Sequence, residues 1–99
     1  MPPPLYASLH DLREAIAKRR VIRFLYKGTV LLAEPHLLGH AARTRALVLE
    51  SWVRGENEGW RRFRFNEIRD LVVTEEHFPV RSDFTTQQQK ILGIDTYCR

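Results

Sequence analysis

The stretch from Val21 to Phe78 is a series of short apolar runs, none longer than four residues, broken by turn-forming residues. VIRFLYK at 21–27 is closed by Gly28. TVLLAEPHLLG at 29–39 carries Pro35 near its centre, and the small polar turn AARTR at 41–45 leads into ALVLESWV at 46–53. RGENEG at 54–59 is a loop with two glycines and an asparagine; GWRRFRF at 59–65 follows it. NEIRD at 66–70 predicts one helical or 3₁₀ turn, and LVVTEEHF at 71–78 ends the series. Short runs rich in β-branched and aromatic residues read as strands. Five of them with tight connections predict a small, strongly bent antiparallel barrel. Pro35 removes a ladder donor, so its strand is expected to lie at an edge or to bulge there.

The flanks add helices. Ser8 followed by Asp11 resembles a capping box, and Leu9, Leu12, Ala15 and Ile16 form one apolar helical stripe. Thr85 with Gln88 is a second possible capping box and Gly93 a natural helix stop, so a short helix is expected over about 85–92. The expected fold class is therefore mainly β with α. One domain covers 1–99, with an extended lead over 1–7, a helix over 8–19, a five-stranded barrel over 20–78 and a tail over 79–99.

Several function classes find no support in the residues. A chain of 99 residues with 43% hydrophobic content holds a modest core, which argues against disorder. Its apolar runs fall far short of the ~20 residues of a membrane span, so no membrane partner is expected. No signal-peptide pattern opens it. Cys98 is the single cysteine, which allows no internal disulfide and suits a reducing cytoplasm. There is no G-x-G-x-x-G, no P-loop, and no G-x-S-x-G around Ser8, Ser51 or Ser82. The expectation is a protein that is not an enzyme and needs no cofactor. His36 and His40 have the spacing of a helical metal pair, but Pro35 and Gly39 argue against a helix there, so no metal site is expected. His36 keeps two readings: a polar binding group, or a histidine hydrogen-bonded at a strand end.

The net charge of +4 is concentrated. Lys18, Arg19, Arg20, Arg23 and Lys27 stand together with no acid among them, and Arg61, Arg62 and Arg64 make a second cluster. Thirteen of the sixteen basic residues are arginine, whose planar fork suits phosphates and stacks on bases. A GC-rich genome would produce the same excess. In GWRRFRF, strict alternation points Trp60, Arg62 and Arg64 one way and Arg61, Phe63 and Phe65 the other. Cations beside a flat ring are what single-stranded nucleic acid needs. Trp52 and Trp60, on either side of the loop, read either as a cross-strand pair or as a stacking platform.

Four segments in order resemble the WYL domain family, over about Leu12 to Phe78. AIAKRRVIRFLY at 15–26 is similar to its opening helix and strand, which ends in a tyrosine, here Tyr26. EPHLLG at 34–39 resembles its proline-centred strand, and RALVL at 45–49 falls where the name-giving Trp-Tyr-Leu occurs. WRRFRFNEIRDLVVTEEHF at 60–78 resembles its closing segment. The resemblance implies an Sm-like small barrel with a leading helix, of a kind found in bacterial regulators. It implies a pocket for a negatively charged ligand, including single-stranded nucleic acid or a nucleotide. Carried to matching positions, the pocket residues are Tyr26, His36, Arg62 and Arg64. Three positions depart from the pattern: Arg45 and Ala46 replace the Trp-Tyr pair, and Glu67 stands where an arginine commonly precedes the isoleucine. About 20 residues before the first strand leave no room for a helix-turn-helix within these residues.

The leading expectation is a regulatory or accessory domain. Arg62 and Arg64 would contact phosphates, Tyr26 would stack or hydrogen-bond, His36 would orient a polar group and Arg45 would add a cation at the rim. The alternative is a protein-interaction module that pairs by an edge strand, or a homodimer burying Leu31, Leu32, Leu37 and Leu38.

Overall fold

The computed structural model describes residues 5–84 and 91–99. Helix α1 spans Leu9–Ala17 and is followed by strands β1 (Arg20–Tyr26), β2 (Thr29–Ala41), β3 (Leu47–Val53) and β4 (Gly59–Arg64). A 3₁₀ turn, η1 (Phe65–Glu67), leads into β5 (Ile68–His77), and β6 (Ile91–Tyr97) ends the fold. The fold is mainly β with one N-terminal helix, as the sequence indicates.

Local chemistry explains the boundaries. Ser8 caps α1, its Oγ accepting the Asp11 amide at 3.2 Å. Leu12, Ala15 and Ile16 share the buried face of the helix. The chain then turns through Arg19 at φ 55 into β1. Lys27 and Gly28 join β1 to β2 with φ of 48 and 85, the positive pair that a two-residue hairpin needs to match strand twist.

β2 organises the sheet. Its early residues, from Thr29 to Ala33, pair with β1, and Leu37 to Ala41 pair with β6, while β3 runs along the other side. Between the two halves the β3 register slips, at Pro35, where the ladder lacks a donor. The strand order is β4-β3-β2-β1-β5, so β4 and β5, consecutive in the chain, lie at opposite ends. Among the described residues no ladder joins them, and the antiparallel sheet is not closed.

Leu12 and Ile16 of α1 pack with Ile22, Phe24, Leu37, Leu38, Leu49, Phe63 and Ile68 in one core. The Phe24 and Phe63 rings meet edge-to-face with centroids 5.0 Å apart. Truncating either ring to alanine is expected to cost about 3–5 kcal/mol.

Three expectations are corrected. Among the described residues the strands number six and form one antiparallel sheet that is not closed, where a strongly bent five-stranded barrel is expected. The helix expected over about 85–92 falls mostly outside the described residues, but Ile91 and Leu92 open a strand and Gly93 lies inside it. Gly39 makes this possible: a Cβ there would meet the Gly93 carbonyl oxygen at 2.6 Å, so β6 packs closely only against a glycine. Third, Leu37 and Leu38 are fully buried and Leu31 is half-buried, leaving Leu32 alone of the four exposed. Beyond Pro35, β2 has β3 and β6 on its two edges and α1 packed against it, and its residues are buried as far as Gly39.

Candidate anion-binding groove

The β1–β2 hairpin and β4 face each other across a groove of about 360 Å³. Tyr26, Lys27, Thr29 and Leu31 line one wall, and Arg61 and Arg62 the other. Strict alternation places Arg61 and Arg62 on opposite faces, yet both reach this groove. Among the described residues β4 pairs with β3 and ends the strand order, so its other edge is open to side chains from both its faces. Sequence reasoning missed Arg61 for that reason, and Lys27 and Thr29 because the Gly28 turn signal marks the hairpin but not what it faces.

The cations are not equivalent. Arg62 sits across from Glu50 in the β3–β4 register, its Nε donating to Oε1 at 2.5 Å. Glu50 is buried, so this pair is fixed. Lys27 Nζ lies 3.8 Å from Glu67. Arg61 rests over the Phe63 ring with its guanidinium carbon 5.2 Å from the centroid. Among the described residues no carboxylate pairs with Arg61 or Arg64, and both are exposed.

Tyr26 fastens the unclosed seam. Its hydroxyl donates to Glu67 Oε2 at 3.0 Å and accepts the Arg64 amide at 3.1 Å. The ring meets Phe63 and Phe24 edge-on, at 4.8 and 6.5 Å between centroids. Burial pushes the phenol above its ordinary pKa, and the neighbouring Glu67 carboxylate adds to that. Tyr26, Arg62 and the Arg64 backbone are thus brought together, with Glu67 among them.

His36 and Arg45 lie elsewhere. His36 is wholly buried, with Nδ1 2.8 Å from the Glu34 carbonyl and Nε2 accepting the Arg81 amide at 3.1 Å. That pattern assigns the neutral tautomer protonated at Nδ1. The ring is packed among Trp60, Phe78 and Phe84 and offers no nitrogen to a ligand. His36 is a hydrogen-bonded histidine, but in the middle of β2 rather than at a strand end. Arg45 is exposed at φ 61 in the turn from β2 to β3, its amide donating to the Ala41 carbonyl at 2.8 Å, and it does not line the groove. Trp60 is the register partner of Trp52, with the rings edge-to-face at 5.8 Å. Phe84 stacks on Trp60 at 6.1 Å and Asp83 accepts the Trp60 indole N–H at 2.9 Å, so one face and the polar edge of this half-buried ring are already engaged.

The 79–84 segment is held by a network no motif announces. Glu34 is buried and takes two hydrogen bonds from Arg81, at 3.0 and 3.2 Å, and one from Arg54 at 3.0 Å. Arg54 also pairs with Glu76, and Arg81 stacks on Trp52 with its guanidinium carbon 3.8 Å from the ring centroid. Cys98 is packed in the core, and burial pushes its thiol up to about 12, which leaves no thiolate for chemistry near neutral pH.

Compared with family models, with curated proteins and with solved structures, the chain matches none. No helix among the described residues is long and apolar enough to cross a membrane.

Proposed function

We propose that this chain is a WYL-type regulatory or accessory domain of the cytoplasm that is not an enzyme. It binds a negatively charged ligand, single-stranded nucleic acid or a nucleotide, in the groove between the β1–β2 hairpin and β4. The observation that carries this reading is the pair of exposed guanidiniums on β4, Arg61 and Arg64, without acidic partners among the described residues, beside a groove lined by Tyr26, Lys27 and Thr29. Arginine forks supply the phosphate contacts. Arg62 contributes with the part of its fork not committed to Glu50, and Tyr26 orients the Arg64 end of β4. His36 acts from the core by holding the 79–84 segment in place. The Sm-like reading of the fold draws support from the order β5-β1-β2-β3-β4 and from the single 3₁₀ turn between β4 and β5.

The test is fluorescence anisotropy with short labelled single-stranded DNA and RNA, at about 50 and 200 mM salt. Arg61→Ala/Arg64→Ala is the clean variant, since neither side chain has an acidic partner to lose among the described residues. Binding that weakens with salt and is lost in the double variant supports the groove. Binding indifferent to both would turn the reading to a protein partner. That second reading has its own observation: Leu32, Arg23 and Val72 stand side by side across β2, β1 and β5, and Leu32, Val72 and nearby Val30 are exposed. A homodimer or edge-strand partner on that face would hold at high salt.

A further inference from the structure

Residues that line the groove already meet acids that stand behind its walls. Two acids reach its cations, Glu50 at Arg62 and Glu67 at Lys27. They differ in freedom. Glu50 lies inside the β3 ladder with 4% of its side chain exposed. Glu67 ends the short turn η1, and 36% of its side chain is exposed. It meets the groove at two points, accepting the Tyr26 proton at 3.0 Å and lying 3.8 Å from Lys27 Nζ, and both partners line the wall. The 3.8 Å separation is a loose ion pair rather than a tight hydrogen bond, so exchange for another anion costs little in hydrogen bonding.

We propose that Glu67 is the resident counter-anion of this groove: it occupies Lys27 and the Tyr26 proton until a ligand phosphate takes Lys27, and so lowers the groove's affinity for anions. The proposal rests on the anion-binding reading above. A ligand phosphate must replace the carboxylate or accept it as a like-charged neighbour. Ligands with several phosphates, which also engage Arg61 and Arg64, meet that cost best. A single phosphate limited to Lys27 does not. Glu67 is thus a specificity-determining residue that favours polyanions.

The experiment measures binding of a short labelled oligothymidylate, across salt, to the wild type, Glu67→Gln, Glu67→Ala, Glu67→Asp and Arg61→Ala/Arg64→Ala. The Gln variant keeps an acceptor for Tyr26 and removes only the charge; the Asp variant keeps the charge. We expect the Gln and Ala variants to bind about two- to five-fold tighter at low salt. Their log–log salt dependence should steepen by about 0.7, since one further cation then releases a counterion. Glu67→Asp should stay near the wild type, and Lys27→Met should abolish the gain from Glu67→Gln, as a coupled pair requires. Neutral variants that bind no tighter, with an unchanged salt slope, while Arg61→Ala/Arg64→Ala loses binding, would overturn this proposal and leave the groove standing. Absence of binding in both the wild type and Glu67→Gln would overturn the two together.

Discussion

Arg62 and Glu50 face each other across β4 and β3, with Nε 2.5 Å from Oε1 and the carboxylate in the protein interior. This pairing gives neighbouring arginines of one strand different roles. Arg62 compensates a buried charge, whereas Arg64 is exposed and uses only its backbone at Tyr26. Arg62→Ala is therefore expected to lower stability by about 1–2 kcal/mol through loss of a charge-assisted bond to a buried group. Arg64→Ala should change it by less than about 0.5 kcal/mol. Thermal melts of the two variants check this; equal melting temperatures would place no weight on the Glu50 pair.

Glu34 should be the most sensitive acid in the chain. It is buried and joins Arg54 from the β3–β4 loop to Arg81 from the 79–84 segment. Glu34→Ala leaves two half-buried guanidiniums without their common acceptor, and the expected loss is about 3 kcal/mol. Urea unfolding reads it directly. Because the acid is buried, high salt should reduce the wild type's stability little.

His36 adds a pH dependence. Burial holds its pKa below the ordinary 6.5, outweighing the raising effects of the Glu34 carbonyl and of the Glu34 and Asp83 carboxylates. Arg81, on the facing segment, lowers it further. The unfolded chain then binds a proton that the folded chain refuses. Stability is full above pH 6.5 and declines as pH falls below it toward the depressed folded value. His36→Gln, which offers the Arg81 amide an acceptor without titrating, should flatten that part of the profile. Unfolding curves collected between about pH 7 and 5 measure the difference.

Gly39 should tolerate no side chain. A Cβ would lie 2.6 Å from the Gly93 oxygen and 2.7 Å from Ile91 Cγ2, so Gly39→Ala has to push β6 away from β2. We expect a loss of about 1–3 kcal/mol. Hydrogen exchange should rise selectively in 91–97, while β1 and β5 amides stay protected. Uniform exchange throughout the sheet would mean that β6 does not open on its own.

Much of this fold follows from local signals along the chain. The Ser8 cap, the Leu12–Ile16 stripe, the Lys27-Gly28 turn, the break at Pro35 and the RGENEG loop each act within a few residues, and each marks an element boundary or irregularity found in the structure. The β6 strand lay beyond such reasoning because its partner is Leu37 to Ala41, distant along the chain, and the approach is allowed by a single missing Cβ at Gly39. The candidate site divides the same way. Composition and alternation identify an arginine-rich strand, but alternation cannot say which cations have carboxylates waiting for them. Tertiary structure decides that Arg62 belongs to Glu50, that Lys27 shares Glu67 with Tyr26, and that His36 is buried against Phe84 while Trp60 has one face stacked on it. The physical reason is range: caps and turns are satisfied by near neighbours in the chain, whereas burial and charge pairing depend on whatever the fold brings to within a few ångströms.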